Sequence, residues 1–206
     1  MKYKIVDNFL KPEDLEYLQA KLPTLKPKPD IPTSFYSKKS LGPDQNTIDS
    51  DKLLQLEEHY VPHAMEILRE LAPRKINLVD DVAFNLQSTP PHYTYPIHLD
   101  SNQKVLSGVV YLQPTESTGT FLHKNSRDIK GEEVPWKVNR AFFFSRNPVD
   151  SWHSYKGDEV GVRWVLVFNL LTSKLRKHEI KDRGFLKYTL SRIRKESTQG
   201  VETSMR

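Results

Sequence analysis

From Pro73 onward the sequence breaks into short runs that are either apolar or alternating. They are INLV at 76–79, VAFNLQ at 82–87, TYPIHLD at 94–100, VLSGVVYL at 105–112, GTFLH at 119–123, RAFFFS at 140–145, SWHSY at 151–155 and RWVLVFNLL at 163–171, with Pro, Gly, Asn, Asp and Ser between them. Runs of this length and period read as strands. About eight of them in succession point to a sandwich or barrel, because short strands bury their apolar faces only against a second sheet. The last run is apolar on both faces, so one face must line an interior while the other meets a further layer.

That layer is offered by the first third of the chain. KYKIVDNF reads as a short strand, and KPEDLEYLQAKL reads as a helix with Pro12 in its first turn and Pro23 just after its end. From Ser50 a second helix is predicted. Leu53, Leu54, Leu56, Tyr60, Met65, Ile67, Leu68 and Leu71 recur at near-helical spacing, and Pro62 is expected to kink or split it. Residues 23–47, rich in Pro and polar side chains, read as an irregular loop and a candidate lid. Residues 183–195 are expected to return to helix, with Leu186, Leu190 and Ile193 on one stripe. The reading is an α+β chain forming one domain over 1–206, with a β core over about 75–171 and a basic helical tail over about 174–206.

Composition narrows the chemistry. The 206 residues contain no cysteine, which removes disulfides, thiolate metal sites and cysteine nucleophiles, so any metal must be held by nitrogen and oxygen. No apolar run approaches the roughly 20 residues of a membrane span, and the N-terminus lacks the apolar stretch of a secretory signal. The expectation is a soluble, cytoplasmic protein with no membrane partner. The net charge of +5 is concentrated near the C-terminus, in KLRKHEIKDRGFLKYTLSRIRK. That segment reads first as a solvated helix face and second as a nucleic-acid footprint.

Of the seven histidines, only His98 is followed two residues later by a carboxylate, Asp100. Side chains two apart in a strand share a face, so this pair can offer a ring nitrogen and a carboxylate oxygen to one cation. His153 lies in another short strand 55 residues on. Two imidazoles and one carboxylate on one face of an iron ion leave the remaining positions open for an oxidant and a co-substrate. Arg163 opens RWVLVFNLL ten residues after His153. A guanidinium entering so apolar a strand needs an anion, and its fork suits a carboxylate. A dicarboxylate such as 2-oxoglutarate can chelate the metal at one end and meet Arg163 at the other.

The plainer readings are a structural His98–Asp100 hydrogen bond and an ion pair of Arg163 with Asp158 or Glu159. His59 and His63 form a rival pair four residues apart, but Pro62 interrupts them and they read as surface or packing residues. His123 is an alternative third ligand, although no arginine stands ten residues after it. His92 and His178 have no carboxylate at a useful spacing. Trp136, Trp152 and Tyr155 read as wall and packing residues.

Together HLD at 98–100, VVYL at 109–112, RAFFFS, His153 and Arg163 resemble the iron(II)/2-oxoglutarate-dependent oxygenases, in particular the compact prolyl-hydroxylase-like type. IVDNFLKPEDLEYL resembles the strand and helix that precede the barrel in that family. The resemblance runs over about residues 4–171 and is strongest over 84–171. It implies a double-stranded β-helix, a distorted jelly roll backed by N-terminal helices. It also implies that His98, Asp100 and His153 bind Fe(II) and that Arg163 takes the distal carboxylate of 2-oxoglutarate. Asn85 and Gln87, on the strand before the HxD motif, correspond to polar co-substrate contacts in some relatives, and Tyr93, Tyr95 and Tyr111 are further candidates. The tyrosine that prolyl hydroxylases often carry just before the YL of the next strand is Val110 here. Halogenating relatives lack the carboxylate at Asp100, so its presence implies a hydroxylase acting with dioxygen. The primary substrate stays open among a peptide, an amino acid, a small metabolite and a nucleobase. A metal-free jelly-roll binding module and a nucleic-acid binder are the readings from other classes.

Overall fold

Two antiparallel sheets face one another in the computed structural model, which describes residues 1–35, 49–159 and 161–184. The strands are β1 (Tyr3–Val6), β2 (Thr33–Ser34), β3 (Asp81–Thr89), β4 (Thr94–His98), β5 (Lys104–Gln113), β6 (Thr120–His123), β7 (Glu132–Val134), β8 (Ala141–Ser145), β9 (Trp152–Lys156) and β10 (Arg163–Leu171). The larger sheet runs β1-β8-β5-β10-β3-β2 and the smaller β4-β9-β6-β7. The helices are α1 (Pro12–Lys21), α2 (Ser50–Leu71) and α3 (Leu175–Arg183). This is the double-stranded β-helix, a distorted jelly roll backed by helices, and an α+β fold.

Period-two alternation explains why the large sheet has two different faces. On β10, Trp164, Leu166, Phe168 and Leu170 belong to the main core, together with Phe84 and Leu86 of β3, Leu106 and Val110 of β5, and Phe143 of β8. The apolar stripe of α2, Leu53, Leu56, Tyr60, Ala64, Ile67 and Leu68, covers that face along with Leu18 of α1. The alternate residues of β10, Arg163, Val165, Val167 and Asn169, face the space between the sheets. Phe142 and Phe144 of β8 join Val134 in a second small cluster there. Gly108 on β5 leaves room for the ring of Phe143, its partner on the neighbouring strand β8, because a Cβ there would lie 2.3 Å from that ring.

The helices start as their sequences dictate. Pro12 occupies the first turn of α1, and the Asp49 carboxylate caps α2 by accepting from the Asp51 amide at 2.8 Å. Pro62 does not split α2, one of the two outcomes expected from the sequence, and the helix runs unbroken from Ser50 to Leu71. The buried stripe on both sides of the proline holds one helical register and outweighs the single backbone bond that the ring forfeits.

Other expectations are corrected. INLV is not a strand: Pro73–Leu78 forms a 3-10 helix, in which Leu78 and Lys75 are buried. TYPIHLD stays in the ladder only as far as His98, leaving Asp100 in the loop beyond it. β2 and β7 are too short to show a hydrophobic period, and β7 reads EEV with its glutamates in solvent. Within the loop assigned to 23–47, Leu22–Thr24 is a 3-10 turn and Thr33–Ser34 pairs with β3, while the rest of the candidate lid, residues 36–47, lies outside the described residues. The helix expected over 183–195 also lies outside them beyond Gly184. The part of the basic tail that is described, α3, is not simply a solvated face, since His178 is 1% exposed. No helix among the described residues is long and apolar enough to cross a membrane.

Candidate metal and co-substrate site

The ladder itself brings the two histidines together. β4 pairs with β9 so that His98 stands directly opposite His153, after a register irregularity between Tyr95 and His98. Their rings lie 4.2 Å apart, with Tyr95 edge-on to His98 at 4.6 Å and Phe144 against His153 at 4.8 Å. Each histidine has its Nδ1 within hydrogen-bond distance of a backbone carbonyl two residues before it, Pro96 O at 2.9 Å for His98 and Ser151 O at 3.0 Å for His153. A carbonyl can only accept, so each Nδ1 carries the proton and each Nε2 presents a lone pair, the arrangement that a metal-binding imidazole requires.

Asp100 completes the group from the loop after β4. Its Oδ2 lies 4.0 Å from His153 Nε2, and one ligand atom from each of the three residues falls within 4.8 Å of the others. Among the described residues this is the only such cluster of histidines and carboxylates. The carboxylate is 7% exposed and accepts from Lys104 Nζ at 2.6 Å and from the Ser107 hydroxyl. Burial alone would raise the Asp100 pKa, but Lys104, His153 and Ser107 together hold it below its ordinary value. Burial pushes His153 down to about 4, against the pull of Asp100. At neutral pH His153 is therefore neutral and Asp100 ionised, the states in which both donate to a cation.

The three residues open onto a cavity of about 340 Å³ between the sheets. Its walls include Gln87, Thr120, Tyr155, Val165 and Asn169, and Arg163 lines it as well. Arg163 is 2% exposed, yet no carboxylate among the described residues forms an ion pair with it, so neither Asp158 nor Glu159 is its partner. Its one hydrogen bond there runs from Nε to Thr118 O at 3.4 Å. Three rings surround the guanidinium instead: Tyr155 at 5.1 Å, Trp136 at 5.2 Å and Tyr111 at 5.5 Å from its carbon. Burial lowers the Arg163 pKa, opposed by Tyr111, Tyr155 and Asp158. A buried cation held by ring faces keeps its N–H fork available for an anion in the cavity.

The other candidates distribute unevenly. Gln87 lines the cavity, whereas Asn85, half-buried and opposite Val167 in the β3–β10 ladder, does not. Tyr111 is fully buried and its hydroxyl is engaged by Thr120, so it serves as a wall of the Arg163 cage rather than as part of the lining. Tyr95 lines the cavity and stacks on Tyr155 at 4.9 Å, while Tyr93 lies beyond it. His123 is turned away, bonded to Ser154 Oγ at 2.8 Å and to Asp128 O. His59 and His63 are exposed on α2. His178 is buried beside Asp182 and Asn102.

Sequence reasoning undervalued Tyr155 and missed Lys104, Ser107 and Thr120. Their signal was parity: Ser107 lies an even number of residues from Tyr111 on β5, and Tyr155 stands two after His153 on β9. Burial raises the Tyr155 pKa strongly, keeping it a neutral donor next to Gln87.

No protein-family profile matches the chain. No curated protein sequence matches it either. Its fold is nevertheless that of the prolyl hydroxylases. The chain is similar to a Pseudomonas putida prolyl-4-hydroxylase at 14% identity and a TM-score of 0.55, covering 82% of this chain and 92% of that one. It is similar to the viral collagen prolyl hydroxylase of Paramecium bursaria Chlorella virus-1 in its 2-oxoglutarate complex, at 15% identity and a TM-score of 0.53, covering 84% and 97%. A prolyl hydroxylase from Trichoplax adhaerens, in complex with a peptide fragment of the hypoxia inducible factor oxygen degradation domain, matches at 12% identity and a TM-score of 0.57, covering 85% and 86%.

Proposed function

We propose that this chain is an iron(II)- and 2-oxoglutarate-dependent dioxygenase acting as a hydroxylase. One observation carries the reading: two histidines and a carboxylate with the donor set of a metal site share a cavity with a buried arginine that forms no ion pair among the described residues. Nitrogen and oxygen donors in the ratio two to one suit ferrous iron. The fold of the neighbours agrees with this, and the viral neighbour's complex with 2-oxoglutarate supports the choice of co-substrate.

In this reading His98, His153 and Asp100 would hold the iron. Bound iron supplies the redox chemistry by which dioxygen decarboxylates 2-oxoglutarate to succinate and oxidises a C–H bond of the substrate. The chain's own residues bind, orient and desolvate. Arg163 takes the distal carboxylate through paired N–H bonds, and its ring cage fixes the fork in one plane. Gln87, Thr120 and Tyr155 supply neutral polar contacts along the co-substrate, and Tyr111 holds Thr120 through its hydroxyl. Val109, Phe142, Phe144, Val165 and Val167 keep water from the reacting centre.

The test is an anaerobic titration with Fe(II) and 2-oxoglutarate. A visible charge-transfer band is expected in the native chain and absent in His98→Ala. Succinate release is then measured against peptides, amino acids, small metabolites and oligonucleotides, with peptides first because the Trichoplax neighbour holds one. Absence of the band at millimolar co-substrate would refute the proposal.

A further inference from the structure

Asp100 stands outside the sheet, so no ladder bond fixes it, and what holds its loop is a buried ionic cluster that the chemistry above does not use. Arg146, one residue past β8 and 6% exposed, donates from Nε to the backbone carbonyl of Asp100 at 3.0 Å. Its Nη2 meets the Asn102 side-chain oxygen at 2.5 Å, and its Nη1 meets Asp182 Oδ2 of α3 at 3.0 Å. Asp182 has a side chain 1% exposed and also pairs with Lys75 of the 3-10 helix, whose ammonium reaches Arg146 O. Two more α3 residues grip Asn102: His178 Nδ1 lies 2.9 Å from its carbonyl, and Glu179 Oε1 accepts from its side-chain amide at 3.1 Å.

We infer that α3 is a clamp for the metal-binding loop, and that Asp182 and Arg146 are positioning residues that set metal affinity through the backbone of Asp100. The inference rests on the metal site proposed above. Three features distinguish this cluster from an ordinary core ion pair. Asp182 is shared by two cations, Lys75 and Arg146, and lies beside His178, so its charge is what allows Arg146 to stay buried at all. Arg146 spends its remaining donors on two residues of one loop, Asp100 and Asn102, rather than on a second acid. All the α3 contacts to that loop converge on Asn102, two residues from the ligand, while Thr172 N, just before α3, donates to Gln103 O at 2.8 Å. Loss of Asp182 frees Arg146 to leave its site, and the Asp100 carbonyl loses its donor while its carboxylate keeps Lys104 and Ser107. The carboxylate is then present but poorly aimed at His98 and His153. Partners one bond removed from a ligand typically change metal affinity by about 10–100-fold.

The experiment titrates the full chain with Co(II), read by its visible d–d absorption without turnover, alongside thermal unfolding of the metal-free protein. Native chain, Asp182→Asn, Asp182→Glu and Asn102→Ala are compared. Asn102 is exposed and its truncation leaves the Lys75–Asp182 pair intact, so that variant reports even if Asp182→Asn fails to fold. The inference expects the Co(II) Kd to rise by about tenfold or more in Asp182→Asn and by a smaller factor in Asn102→Ala. It also expects Asp182→Glu to recover part of the affinity. A merely structural cluster lowers the melting temperature and leaves Kd unchanged in every folded variant, which overturns the inference while the native chain's band upholds the metal site. No Co(II) binding by the native chain overturns both.

Discussion

Replacing Arg163 with methionine separates a co-substrate anchor from a structural ion pair, because the two roles predict opposite effects on stability. In the absence of co-substrate the guanidinium is 2% exposed, with one long hydrogen bond to Thr118 O and three ring contacts. Burying an unpaired ion costs several kcal/mol. Three cation–π contacts at about 1 kcal/mol each offset much of this, and a hydrogen bond to a charged donor offsets about 1–2 kcal/mol more. Methionine is unbranched and of similar length, and it removes the desolvation penalty while keeping contact with Tyr111, Trp136 and Tyr155. Arg163→Met is therefore expected to leave the ligand-free chain as stable as the native one or more stable by up to about 2 kcal/mol, a rise in Tm of up to several degrees for a domain of this size. Binding of 2-oxoglutarate moves the other way. Two charge-assisted hydrogen bonds at about 1.5–3 kcal/mol each are lost, which raises Kd by about 10²–10⁴-fold. Urea unfolding of the free protein and anaerobic titration of the charge-transfer band measure the two quantities. Asp158, whose Oδ2 is buried without a hydrogen-bond partner among the described residues, is the acid that would be stranded if Arg163 were its structural partner. A loss of more than about 3 kcal/mol in the free protein is the signature of breaking such a pair, and it would refute the anchor role. So would a 2-oxoglutarate affinity that changes less than tenfold.

Two further outcomes follow from burial. His153 is held neutral down to about pH 4 in the folded chain, against an ordinary value of 6.5. The unfolded chain therefore takes up a proton that the folded one refuses, and metal-free stability falls by about 3 kcal/mol as pH drops from 6.5 towards 4. Urea midpoints across that range should flatten in His153→Gln, and an equal slope in both proteins would remove His153 as the cause. Gly108→Ala places a methyl 2.3 Å from the Phe143 ring and 3.1 Å from Phe168 O, its partners on the two flanking strands of the large sheet. It should cost about 1–3 kcal/mol, and an unchanged Tm would show that the Phe143 ring moves aside freely.

How much of this was legible in the sequence depended on the range of the interaction. RWVLVFNLL disclosed a strand buried on both faces because its period is local, and it divides in the structure into Trp164, Leu166, Phe168 and Leu170 on the helix side and Arg163, Val165, Val167 and Asn169 in the cavity. The spacing of His98 and Asp100 was local too. INLV misled because a short apolar run carries the same pattern in a strand and in a buried 3-10 turn, and only the long-range contact of Lys75 with Asp182 distinguishes them. At Pro62 the sequence offered a kink or a split, and the split is absent because a strong local breaker yields to a continuous buried stripe along α2. That Arg163 makes no ion pair among the described residues could not be read from Asp158 and Glu159 standing five and four residues before it.

The same distinction runs through the site itself. His98 and His153 are placed by backbone pairing, one opposite the other, and their ring tautomers are fixed by carbonyls of their own strands and turns. Their geometry is thus a property of the sheet and is shared with every residue that stabilises it. Asp100 is placed chiefly by side chains: Lys104 and Ser107 on its oxygens, Arg146 on its carbonyl, and α3 behind Arg146. Sheets tolerate substitution at their polar margins, whereas a loop held by a handful of charge-assisted bonds does not. Polar substitutions around Asp100 should therefore weaken metal binding out of proportion to their effect on folding. Apolar substitutions beneath the two histidines should weaken folding and binding together. In the proposed metal site, the carboxylate is the ligand through which this fold can tune its metal without rebuilding its core.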